Sequence, residues 1–248
     1  MSRASVVRCL VVACLGLIIS GCVGSRESAT PTVAAAASLR HVMPALLEGF
    51  GQQVRVTYGA SGTLRQQVEG GAPIDVVLFA AATPVDQLIA RGYADASTRR
   101  RLASNDLVLI GSTGGPAVTW TSLAELPEGE RIAVGAPGAV PAGRYAQEAL
   151  EQLGSWEGLQ PRVVFGGDVA AVLAYAKRGE VAVAAVYATD ARGHDDLVVL
   201  DRADWEGAPS PEVIGAAVTD HAQGRALLTW LASDEARAHF TAFGFGPP

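Results

Sequence analysis

Cysteine is nearly missing from this chain of 248 residues: there are three, Cys9, Cys14 and Cys22, all close to the amino terminus. If a leader ending before Cys22 is removed, one cysteine remains, so an intramolecular disulfide is excluded even in an oxidising compartment. Lysine is scarcer still, with Lys177 alone, and no basic run exists. Nucleic acid and broad polyanion surfaces are therefore poor partners. The four histidines, His41, His194, His221 and His239, show no metal-ligand spacing and read as surface or structural residues. There is no internal repeat of ~20 to 50 residues, and no low-complexity segment beyond a short polar stretch after Cys22.

With 49% apolar and 18% charged residues, the chain is globular, and its length suits two lobes of about 100 residues each. The opening "MSRASVVRCLVVACLGLIISGC" sets Arg3 and Arg8 before an apolar run from Cys9 to Ile19. That run is shorter than the ~20 residues of a spanning helix and reads as a secretory signal over residues 1–21. Ile19-Ser20-Gly21-Cys22 resembles the lipobox of bacterial lipoproteins, which implies lipid on Cys22 and anchoring to the cell membrane. Residues 22–30 read as a flexible tether. Loss of Arg3 and Arg8 leaves 17 basic against 25 acidic residues, a net charge of −8. Any anion bound by such a chain must be held by local dipoles.

Through the body, short apolar runs alternate with helical periods. Strands are expected near 32–36, 54–58, 75–79, 106–110, 131–134, 162–165, 181–186, 197–200 and 213–218, an α/β pattern. Breakers at 111–120 ("GSTGGPAVTW") and 206–213 ("EGAPSPEV") suggest two crossings between lobes. Lobe 1 would hold 31–110 plus 214–248, and lobe 2 would hold 111–213. Residues 221–243 read as two helices, the second starting near Ser233 with acid in its first turn.

Five strand ends carry small or polar residues where backbone N–H groups would be free. "TVAAAASL" places Ser38 after a strand of alanines, at what reads as a helix start, although Pro44 would then bend the helix. "YGASGTL" places Ser61 before a helical stretch from Thr63. "GAVPAGRYAQEAL" starts a helix at Pro141-Ala142-Gly143. "FGGDVAAVL" puts Asp168 as a cap, with the N–H of Val169 beyond it. "VYATDA" ends a strand on the phenol of Tyr187. Each has an ordinary reading as a cap, a turn or a core residue; each is also an anion-binding geometry, because free N–H groups and the positive end of the helix dipole point outward.

In this order the phrases "AAASL" (35–39), "SGTLRQQVEGGAPIDV" (61–76), "VGAPGAVPAGRYAQEAL" (134–150), "GDVAAVL" (167–173), "VYATDA" (186–191) and "FGF" (243–245) resemble the periplasmic molybdate-binding proteins of ABC importers. The resemblance spans Thr32 to Phe245. It implies a type II periplasmic-binding-protein fold of two α/β lobes joined by two crossover segments. It also implies an oxyanion, molybdate or tungstate, held by the Ser38 and Ser61 hydroxyls, the main-chain N–H groups of Ala142 and Val169, and the Tyr187 hydroxyl. The partner would be a membrane permease, the protein would act as a monomer, and no metal or organic cofactor is implied beyond molybdenum as cargo. Two positions depart from the pattern: Ala82 stands where many members have an acidic residue, and Gly62 where many have Ser or Thr.

Rival readings are a binding protein for sulfate, phosphate, phosphonate or iron, a sensor lipoprotein that signals rather than delivers, and a lipid-anchored hydrolase using Ser61. The last is weak, because "GASGT" has Thr63 where a G-x-S-x-G elbow needs its final glycine.

Overall fold

A computed structural model describes residues 30–248. The expected signal, the expected lipidation site Cys22 and all but the last residue of the expected tether lie outside the described residues.

The chain enters through β1 (Thr32–Ala36), α1 (Met43–Phe50), β2 (Arg55–Gly59), α2 (Ser61–Glu69), β3 (Val76–Phe79), α3 (Ala82–Ala90) and β4 (Arg100–Ser104). It continues through β5 (Leu107–Ser112), β6 (Ile132–Gly135), α4 (Pro141–Gln152), α5 (Trp156–Leu159), β7 (Val163–Gly166), α6 (Val169–Lys177), β8 (Val183–Tyr187), α7 (Ala188–Ala191) and β9 (Leu197–Arg202). It ends with β10 (Glu212–Ala217), α8 (Ala222–Leu231) and α9 (Asp234–Ala242).

The strands form two five-stranded sheets, ordered β2-β1-β3-β10-β4 and β7-β6-β8-β5-β9. In each, three strands run parallel and a strand delivered from the other sheet pairs antiparallel beside them: β10 on β3, and β5 on β8. The two sheets thus repeat one topology. Crossover helices cover both faces of the first, so its inner strands are apolar throughout rather than alternating. Alternation survives only as a choice of partner: Val33 and Ala35 join the larger core, while Ala34 joins the smaller one with Leu64, Val68, Val85 and Leu88 of α2 and α3.

The structure departs from the sequence expectations in several places; the return to the first sheet, for one, comes at Glu212 with β10 and not after residue 213. The run at 106–110 is expected in lobe 1, but β5 pairs with β8 and β9, so the chain changes sheet at Asn105–Asp106 and not after residue 110. The strand β4 has no counterpart among the expected strands; its first two residues, Arg100 and Arg101, are exposed, and only Leu102 and Ala103 are buried. No α-helix starts at Ser38. Ala37–Leu39 form a 3-10 turn, and α1 begins at Met43, where Pro44 occupies the first turn and removes no helical hydrogen bond. The terminal helices match their expected places, and Ser233 caps the second of them, its hydroxyl accepting from the Ala236 N–H.

Candidate functional site

The carboxyl ends of β1, β2, β3, β6, β7 and β8 meet between the two sheets, which is where open α/β sheets place ligands. Ser38 lies inside the 3-10 turn after β1 and is buried. Ser61 is fully buried and is itself the first residue of α2, so the helix starts two residues earlier than the expected Thr63. The N-cap positions belong to Ala36 and Ala60, so neither serine acts as a plain helix cap.

From the facing lobe, α4 starts at Pro141 and presents Ala142 in its first turn. A Cβ on Gly143 would collide with the Gly135 carbonyl, so glycine here lets the helix start sit against the end of β6. Asp168 caps α6 by accepting from the Ala171 N–H at 2.8 Å, leaving Val169 as the first helical residue. Tyr187 ends β8 and is buried.

Ser38, Ser61, Ala142, Val169 and Tyr187 all line one cavity of about 10 Å³, room for one water at most. No lysine, arginine or histidine lines it; the other walls are small residues from strand ends, with Asp168, whose carboxylate is committed to its cap. The free N–H groups at the starts of α4 and α6 are the electropositive elements available.

Sequence reasoning does not single out Ala80, yet it ties the site together. Its N–H donates to Ser61 Oγ at 3.2 Å, which orients that hydroxyl and leaves its own proton to donate. Its carbonyl accepts from the Tyr187 hydroxyl at 3.3 Å, across the lobes. Burial pushes the Tyr187 phenol well above its ordinary pKa, with Tyr145 and Asp190 adding to the rise and Arg144 opposing it. Tyr187 is therefore a protonated donor at any neutral pH.

Asp190, also missed, lies three residues beyond, buried in the short helix α7. Burial raises its pKa to about 7; a hydrogen bond from the Tyr187 backbone opposes the rise, and the charge of Asp168 adds to it. Its Oδ2 has no hydrogen-bond partner. Only the acidic letter in "VYATDA" marks it in the sequence, and burial cannot be read from that.

Among the described residues, no group of three or more His, Cys, Asp or Glu side chains is placed to hold a metal ion. The pattern described as "Bacterial extracellular solute-binding protein" matches residues 31–246. The chain belongs to that family. It is an extracytoplasmic solute-binding protein and not an enzyme. It is 33% identical to the molybdate-binding protein ModA of Escherichia coli (strain K12) over 86% of this chain and 88% of that one. It is 31% identical to YvgL of Bacillus subtilis (strain 168), named as a candidate ABC transporter substrate-binding lipoprotein, over 92% and 93% of the two chains. Among solved structures, the periplasmic molybdate-binding protein of Azotobacter vinelandii superposes with a TM-score of 0.79 at 20% identity, over 88% of this solute-binding protein and 99% of that chain. The fold is that of type II periplasmic binding proteins.

Proposed function

We propose that this solute-binding protein captures a tetrahedral oxyanion, molybdate or tungstate, between its lobes and delivers it to an ABC importer. The observation that carries the reading is that Ser38, Ser61, Ala142, Val169 and Tyr187 line one cavity and that no basic side chain lines it. The names of the Escherichia coli and Azotobacter vinelandii relatives support the cargo.

A dianion in a dry site needs a donor at each oxygen, and each charge-assisted bond contributes ~1.5–3 kcal/mol net. Neutral fixed donors favour a fully deprotonated ion, because a protonated oxygen would bring a donor in need of an acceptor. Size then separates molybdate from sulfate. The cavity as it stands takes a water-sized guest, so a tetrahedral ion enters as the lobes part. The single Tyr187 proton would turn from the Ala80 carbonyl to the ion. Ligand held by one lobe recruits the other, and the closed form is what the permease receives. Lipid on Cys22 would keep the protein beside that permease, a reading that the name of YvgL supports. Molybdenum is cargo here, not a resident cofactor.

Calorimetric titration with molybdate, tungstate, sulfate and phosphate in separate runs tests the proposal. One-to-one binding of the first two, with silence from sulfate and phosphate, is the expected result. Silence toward all four would overturn the cargo and withdraw the five site assignments.

A further inference from the structure

The oxyanion cavity lies between two others. On one side, sharing Ser38 with it, is a cavity of about 300 Å³ that includes Thr189 and Phe245. Thr189 Oγ1 accepts from Asn105 Nδ2 at 2.8 Å, and Asn105 belongs to the crossing between the sheets, so this is the hinge side of the cleft. On the other side, sharing Pro141, is a cavity of about 180 Å³. Its walls include Gly62, Arg65 and Thr83 of the first lobe, and Ala139 and Arg144 of the second.

Two hydrogen bonds cross the cleft on that flank. Arg144 Nη1 donates to Thr83 Oγ1 at 3.0 Å, and the Gly62 N–H donates to the Ala139 carbonyl at 2.9 Å. Gly62 is the second residue of α2, so its N–H has no partner within the helix. Ala139, on the opposite lobe, supplies one. The approach is possible only without a side chain, because a Cβ on Gly62 would lie 2.7 Å from the Ala139 oxygen and 2.8 Å from its Cα. Arg144 rides on α4, the helix whose first turn presents Ala142 to the oxyanion cavity. Any motion that withdraws Ala142 from a bound ion therefore also strains the bond to Thr83.

We propose that Arg144, Thr83 and Gly62 form a clamp on the free flank of the cleft, opposite the hinge, and that this clamp sets how long a bound oxyanion is retained. These are positioning residues: they hold the lobes together and do not line the oxyanion cavity. The proposal rests on the reading of the cargo given above, and its test separates the two.

The purified full chain is compared with Thr83→Val, Thr83→Ser, Arg144→Gln and Gly62→Ala in two measurements. The first follows release of radiolabelled molybdate after dilution. Thr83→Val and Arg144→Gln should release it about 10-fold faster, the effect of one lost hydrogen bond to a charged group, and Gly62→Ala, whose Cβ would drive the Ala139 carbonyl away, should also release it faster. Thr83→Ser, which keeps the acceptor, should return to the wild-type rate. The second measurement is hydrogen exchange without ligand, read on the peptide that carries the Gly62 amide. That amide should be protected in the wild type and in Thr83→Ser, and should exchange faster in Thr83→Val and Arg144→Gln.

Wild-type release in Thr83→Val and Gly62→Ala, or wild-type exchange in Thr83→Val and Arg144→Gln, would overturn the clamp, as would an unprotected Gly62 amide in the wild type. Failure of the wild type to retain molybdate at all would instead refute the cargo, and the exchange measurement would still decide for or against the clamp.

Discussion

Ser38 and Ser61 carry the same hydroxyl to the same cavity but stand in different surroundings. Ser61 Oγ also accepts from the buried Ala80 N–H, so Ser61→Ala leaves a donor unpaired inside the protein. Both alanine variants should weaken oxyanion affinity by ~1–3 kcal/mol, and Ser61→Ala should lower the melting temperature as well. Titration calorimetry and thermal melts read the two effects separately. Asp190 gives a prediction of a different kind. Its carboxyl is raised from 3.8 to about 7 by burial, so the folded chain keeps a proton that the unfolded chain gives up near its ordinary value. The native state binds more protons across that interval, and stability falls as pH rises through it. The contribution is fully present below about pH 4, is lost by about pH 7 and is constant beyond. Asp190→Asn should therefore gain stability relative to the wild type between those limits and hold the gain above them, as thermal melts across the interval would show. A difference that does not vary with pH would refute the assignment.

Helix starts carry the proposed main-chain donors, and one of these N–H groups can be removed without breaking its helix. Val169 is the first residue of α6, and Asp168 before it is extended, at φ −154° and ψ 176°. Proline is at home at the first helical position and after an extended residue. Val169→Pro should lower oxyanion affinity by roughly 10- to 100-fold relative to Val169→Ala, the cost of one charge-assisted N–H, with similar melting of the two variants. Equal affinities would show that this N–H does not reach the ion. Elements of this kind are legible in the sequence because strand and helix periods meet at small residues: β1 stands at 32–36 as its alanines and flanking polar residues indicate. The five named groups line one cavity because each follows a strand end, and strand ends are readable. What escapes reading depends on the third dimension. The strand β4 has too few apolar residues to show a period, Pro44 belongs to a helix that starts later than the pattern suggests, and β5 lies in a different sheet from the strand β4 just before it. Ala80 and Asp190 matter through contacts from distant segments, which no local pattern encodes.

At the scale of the molecule, attachment and motion separate. No helix among the described residues is long and apolar enough to cross a membrane. If lipid on Cys22 is the anchor, as proposed above, Cys22→Ser should move the protein from the membrane fraction to the soluble fraction, and persistence with the membrane would exclude lipid on that cysteine as the anchor. The two crossings are where the lobes would turn against each other. The first is Asn105–Asp106 and the second runs from 203 to 211; the Asn105 N–H donates to the Pro211 carbonyl at 2.9 Å, and Ser104 and Gly246 pair close by. Two connections tied to each other leave a pair of bodies one easy degree of freedom, as two pins leave a door. If the lobes close on an ion about that hinge, the angle at which they stop is set by the size of what lies between them, so a membrane partner touching only the outside would read the cargo through that angle.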